Sequence, residues 1–144
     1  MKRLLPVFSV VLAAALAVPV LAGPKKPKRP GVSVRVSPRV SHAPLPGHTR
    51  HVFLYITIEN VTPEWEQYWC PEFRVEWGDG SASGRESDCV PFHEASAEDL
   101  AYREYPFTYD YKWGIGHSRI NVELHRAGKK FDSKSADITV GVGH

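Results

Sequence analysis

Apolar residues recur at every second position through most of this chain, and that period sets what it can fold into. Val32, Val34 and Val36 alternate with Ser33, Arg35 and Ser37. Val52, Leu54, Ile56 and Ile58 repeat the pattern, as do Phe73, Val75 and Trp77. Tyr105, Phe107, Tyr109, Tyr111 and Trp113 form a fourth such run, this one aromatic, followed by Ile120, Val122 and Leu124. A period of two places successive side chains on opposite faces of an extended strand, so each run has one face to hide. Phe53 and Tyr55 put aromatic groups on the second face of the Val52 strand as well, which marks that strand as central. About seven strands at this spacing, with turn signals between them, predict an all-β antiparallel sandwich over 32–144.

The punctuation agrees with that reading. Ser41 to Thr49 holds Pro44, Pro46 and Gly47 and reads as a loop. Gly78-Asp79-Gly80 after an alternating strand is a strong hairpin signal, with a return arm from Ser81 to about Cys89. Arg126-Ala127-Gly128-Lys129 turns the chain again, and Ile138 and Val140 face inward on the last strand. One stretch departs from the period. Glu94 to Arg103 is rich in helix formers, with Ser96 placed to cap a turn and Asp99 three residues on. A short helical turn is expected around 95–103.

The first 31 residues have a different character. Lys2 and Arg3 precede a nearly unbroken apolar run from Leu4 to Leu21, and Val20-Leu21-Ala22 supplies a signal-peptidase site. Positive start, apolar run and small residue, in that order, mark a secretory signal over 1–22. The alternative is an uncleaved anchor, though Pro6 and Pro19 interrupt the run. Residues 23–31, GPKKPKRPG, have nothing apolar enough to build a core and read as an extended basic tether. Export to the periplasm, cell surface or medium follows, with no membrane span after cleavage.

Charge then excludes a class of partners. Without Lys2 and Arg3 the chain has 16 basic and 16 acidic residues. The segment from Gly31 onward, with four further basic residues left behind in the tether, carries 12 against 16. Such a mildly acidic body shows no electrostatic footprint for nucleic acid. Cys70 and Cys89 are the only cysteines, and in an exported small domain they are expected to pair. Closing that loop contributes about 3 kcal/mol in the chain-entropy model. A two-ligand metal site or a free thiol is the alternative.

From Phe73 to Val140 the sequence resembles the PKD (polycystic-kidney-disease repeat) family. The residues carrying the likeness are Trp77-Gly78-Asp79-Gly80, then Tyr109-Asp110-Tyr111, then Gly116 with Ile120, Val122 and Leu124. The family's turn reads W-x-F-G-D-G, whereas here Trp77 directly precedes Gly78, and the cysteine pair is an addition. The resemblance implies an immunoglobulin-like β-sandwich and an exported module used for binding, adhesion or spacing. A protein or glycan of the envelope or extracellular space would be its partner, with no cofactor.

Candidate chemistry is sparse. Asp79 fits a turn role, its carboxylate capping backbone N–H groups two residues on. Calcium would need several converging oxygens, and Glu76, Asp88 and Asp110 show no calcium-loop spacing with Asp79. Trp65, Tyr68 and Trp69 cluster beside Cys70. Exposed, they form a stacking platform for sugars or a partner; buried, they pack the sandwich edge and shield the disulfide. The seven histidines (His42, His48, His51, His93, His117, His125 and His144) include no i, i+4 metal-ligand pair. The G-x-S-x-G elbow of a serine hydrolase does not occur either. A small secreted hydrolase is therefore the weakest reading, and a structural spacer with no ligand of its own ranks behind a binding module.

Overall fold

A computed structural model of the chain describes residues 26–38, 40–41, 49–112 and 116–141. The expected signal over 1–22, the start of the tether, most of the loop after Ser41 with His42 and His48, Trp113 and His144 lie outside the described residues.

Two sheets form an immunoglobulin-like sandwich. Strands β1 (Gly31–Ser37), β3 (Arg50–Glu59) and β6 (Tyr102–Tyr111) make one sheet in the order β1-β3-β6. The other runs β2-β8-β7-β4-β5 and contains β2 (Val40–Ser41), β4 (Glu72–Glu76), β5 (Ala82–Arg85), β7 (Gly116–Arg126) and β8 (Lys129–Val140). All ladders are antiparallel except the two-residue pairing of β2 with β8.

The core is what the alternation demands. Val52, Leu54, Ile56 and Ile58 of β3 and Tyr105, Phe107 and Tyr111 of β6 face Phe73 and Val75 of β4. Ile120, Val122 and Leu124 of β7 and Ile138 and Val140 of β8 complete the opposing layer. β3 is central in its sheet, as its two-sided apolar start suggests. Its second face, however, is not covered: Phe53 is 40% exposed. A central strand in a two-layer sandwich has only one buried face, because the other looks outward to solvent.

Several local features refine the sequence reading. The Gly78-Asp79-Gly80 hairpin has five residues between paired positions, since Glu76 pairs with Ala82, and Trp77 donates its backbone N–H to Ser81 at 3.0 Å. Its return strand is short, ending at Arg85. The turn at Ala127 and Gly128 is a two-residue loop between Arg126 and Lys129, with φ of 49° and 71°. Both positive angles identify the type I′ geometry that matches strand twist. The helical turn is α1 (Ala97–Ala101), capped by Ser96, whose hydroxyl oxygen accepts from the Asp99 N–H at 3.0 Å. Pro106 lies in mid-strand on β6, an edge strand, where a missing N–H is tolerated.

The tether is not free along its whole length. Residues 26–29 are exposed, but Pro30 is buried, and Arg29 bonds the Tyr68 hydroxyl and pairs with Asp132 at 3.0 Å. The last step of the basic segment is thus fastened to the body.

Candidate functional site

The Gly-Asp-Gly turn is built to hold itself. The Asp79 carboxylate accepts from the Ser81 backbone N–H at 3.0 Å and from the Ser81 hydroxyl, while the Tyr109 hydroxyl donates to its other oxygen at 2.8 Å. Burial alone would raise the Asp79 pKa; these bonds from Ser81 and Tyr109 together hold it below its ordinary value. Tyr109 stacks on Trp77 with ring centroids 4.5 Å apart, and the Trp77 indole N–H donates to Ser83 at 2.8 Å. From below, the buried Tyr111 hydroxyl donates to the Trp77 carbonyl at 2.7 Å. Ser118 donates to the Gly78 carbonyl at 2.9 Å, tying the turn to β7.

Gly78 meets two demands at once. Its φ is +83°, and a Cβ there would sit 2.2 Å from the Ser118 hydroxyl and 2.8 Å from the Arg119 carbonyl. Gly80 shares the positive φ but opens onto empty space. Gly116 starts β7 at φ +66°, also in the open. The motif residues Trp77, Gly78, Asp79, Gly80 and Tyr111 therefore converge on one structural knot. One carboxylate oxygen of Asp79 is engaged by Ser81 of the turn and the other by Tyr109 of β6, and among the described residues no three His, Cys, Asp or Glu side chains gather as metal ligands.

Trp65, Tyr68 and Trp69 lie on or just after a 3-10 segment, Pro63–Tyr68, that leads to Cys70. Tyr68 is 1% exposed and Trp69 is 3% exposed, so two of the three rings belong to the core. Trp69 donates its indole N–H to the Val90 carbonyl at 2.9 Å, and the guanidinium of Arg103 lies over its ring at 4.7 Å. Tyr68 packs edge-on against Phe131 and donates to Asp132 at 3.1 Å. Trp65 is half-buried and meets Tyr68 edge-to-face. The three rings thus do not stand together in solvent; they pack the sandwich edge beside the Cys70–Cys89 disulfide, whose Cα atoms are 5.9 Å apart. A concavity of about 470 Å³ opens there, walled by Trp69, the disulfide, Val90, Pro91 and Phe92 and rimmed by Glu66, His93 and Arg126.

The described histidines are dispersed. His51 meets Asp110 at 2.6 Å, His117 meets Thr139 at 3.4 Å, and His93 lies 3.5 Å from Glu94. His125 bonds Glu123 at 3.0 Å, and with Lys130 it holds that carboxyl below its usual range.

A different aromatic surface emerges on the outer face of the β1-β3-β6 sheet. The register sets Arg35, Tyr55 and Pro106 in one row and Ser37, Phe53 and Thr108 in the next, with His51 opposite Asp110 beyond. Phe53 and Tyr55 lie 6.4 Å apart with planes 18° from parallel, and His51 meets Phe53 edge-on at 4.8 Å. Arg35 rests 4.4 Å over the Tyr55 ring and 3.7 Å from Glu104. Tyr102, 52% exposed, occupies the same face near the start of β6. The signal for this surface is present in the sequence: aromatics on the polar side of an alternating strand, in a chain with enough strands for two layers only.

No protein-family model matches the chain, and no curated protein matches it.

Proposed function

We propose that this chain is an exported, non-catalytic PKD-like module that binds a protein or glycan outside the cell. Four features support the export and family parts of the reading. They are the charged-then-apolar leader, the closed Cys70–Cys89 pair, the tethering segment, and the knot that joins Trp77, the Gly-Asp-Gly turn and Tyr111. The binding part rests on one observation: the outward face of the β1-β3-β6 sheet aligns Phe53, 40% exposed, with the half-buried Tyr55 and sets Tyr102, 52% exposed, further along it, leaving aromatic surface in solvent.

A second reading has its own support. Tyr68 and Trp69 are spent on packing, which takes the most aromatic stretch of the sequence away from recognition and suits a spacer. Retention assays separate the two. The exported chain and its Phe53→Ser variant are incubated with cell-wall and matrix material, then washed and quantified. Retention of the wild type that the substitution abolishes supports binding. If neither protein is retained by any fraction, while both remain folded, the spacer reading replaces it.

A further inference from the structure

We infer that the outer face of the β1-β3-β6 sheet is a stacking surface for a neutral polysaccharide. This inference rests on the binding reading above and names the ligand class for that same face.

Shape comes first. Phe53, Tyr55 and Tyr102 share one side of two adjacent strands. From the Phe53 row to the Tyr102 row is six residues of β6, or about 20 Å at strand rise. The face is therefore a strip rather than a pocket, which suits a chain-like ligand laid along it. A sugar ring has an apolar C–H face and a polar hydroxyl edge, and exposed aromatic surface flanked by hydrogen-bonding groups complements both.

Charge narrows the class. The ionisable groups beside the rings lean acidic: Arg35 meets Glu104 at 3.7 Å, His51 contacts Asp110 at 2.6 Å, and Glu59 stands opposite Tyr102. Among the described residues, the strip carries no unpaired basic cluster of the kind an anionic polymer or lipid surface would require. The same groups remain accessible, with side chains of His51, Asp110 and Arg35 each more than half exposed, so donors and acceptors both stand ready for hydroxyls.

Area weighs against a protein partner or a second copy. An aromatic side chain offers about 150–250 Å² in full, so Phe53 at 40% exposure presents about 100 Å² or less. A stable protein interface needs about 800 Å² on each side around a desolvated centre. Phe53 and Tyr102 together present no more than about 230 Å² of aromatic surface, a small apolar centre for an interface of that size.

The test is affinity electrophoresis of the exported full chain through native gels cast with hydroxyethylcellulose, xyloglucan, glucomannan or soluble starch, with alginate and heparin as anionic comparators. The expected result is retardation by at least one neutral polymer, weakened about tenfold or more by Phe53→Ser or Tyr55→Ser. It should persist from about 0.1 M to about 1 M NaCl, although the screening length falls from about 10 Å to about 3 Å. Val90→Ser, which alters an exposed apolar residue away from the strip, should migrate as wild type, and urea midpoints of all variants confirm folding. The inference is overturned if no neutral polymer retards the protein, if retardation ignores both ring substitutions, or if salt removes it. A protein ligand lost on Phe53→Ser would overturn the glycan assignment while leaving the binding function intact. Retention of cell-derived material that both substitutions leave unchanged would move binding to another surface and overturn the stacking assignment alone, and failure of the folded wild type to be retained by any polymer or cell-derived material would overturn the two together.

Discussion

Tyr111 offers the sharpest stability test because its hydroxyl and its ring do separable work. The ring is fully buried and meets Tyr109 edge-on at 4.8 Å, while the hydroxyl holds the Trp77 carbonyl at 2.7 Å from across the sandwich. Tyr111→Phe keeps the packing and strips only that hydrogen bond. Leaving a buried acceptor without its donor costs about 1–3 kcal/mol. With a urea slope of about 2 kcal/mol per M, the midpoint should fall by about 1 M at unchanged slope. Tyr111→Ala removes the ring as well and should cost about 3–5 kcal/mol, a large share of a small domain's total. Alkali gives an independent readout. Burial, and secondarily the Asp79 and Tyr109 charges, push the Tyr111 phenol far above its ordinary pKa. A pKa raised by folding contributes stability fully present below about pH 10, the unfolded value, and lost as pH rises beyond it. Wild type should therefore lose stability above pH 10 more steeply than Tyr111→Phe. Equal urea midpoints for wild type and Tyr111→Phe, with parallel alkaline profiles, would refute the placement of this hydroxyl.

Two further outcomes follow from the geometry. Gly78→Ala should destabilise clearly more than Gly80→Ala, since both incur the left-handed penalty of about 1–2 kcal/mol but only Gly78 also drives a Cβ into the Arg119 backbone; paired urea melts decide it, and equal losses would contradict the crowding. Reducing the Cys70–Cys89 bond should lower stability by about 2–5 kcal/mol; a melting temperature indifferent to reductant would contradict a stabilising cross-link.

Strand content was legible because period-two burial is a local property: every run from Val32 to Val140 that alternates apolar with polar residues and lies among the described residues became a strand or its immediate flank. Ser96 and Asp99 likewise announced their helical turn, since capping needs only neighbours three residues apart. Which face of a strand meets solvent is not local. Phe53 and Tyr55 correctly mark β3 as the central strand of its sheet, but whether a third layer covers their face depends on how many layers the whole chain can build. The cluster at Trp65, Tyr68 and Trp69 posed the same problem in reverse. Its burial depends on Arg103, Phe131, Asp132 and the loop at Val90, residues 21 to 64 positions away, which no spacing rule anticipates. The fastening of Arg29 to Tyr68 and Asp132 is hidden for the same reason, because a basic, proline-rich segment carries no mark of where it docks.

The aromatics beside the cysteines are interior, while Phe53 on the polar side of β3 and Tyr102 on β6 face solvent. Hydroxyl-radical footprinting with mass spectrometry reads that directly, residue by residue. It should label Phe53 and Tyr102 readily while sparing Tyr68, Trp69, Trp77 and Tyr111, even though indoles react faster than phenyl rings when equally accessible. Labelling of Trp69 at or above the rate of Phe53 in the folded, oxidised protein would contradict it.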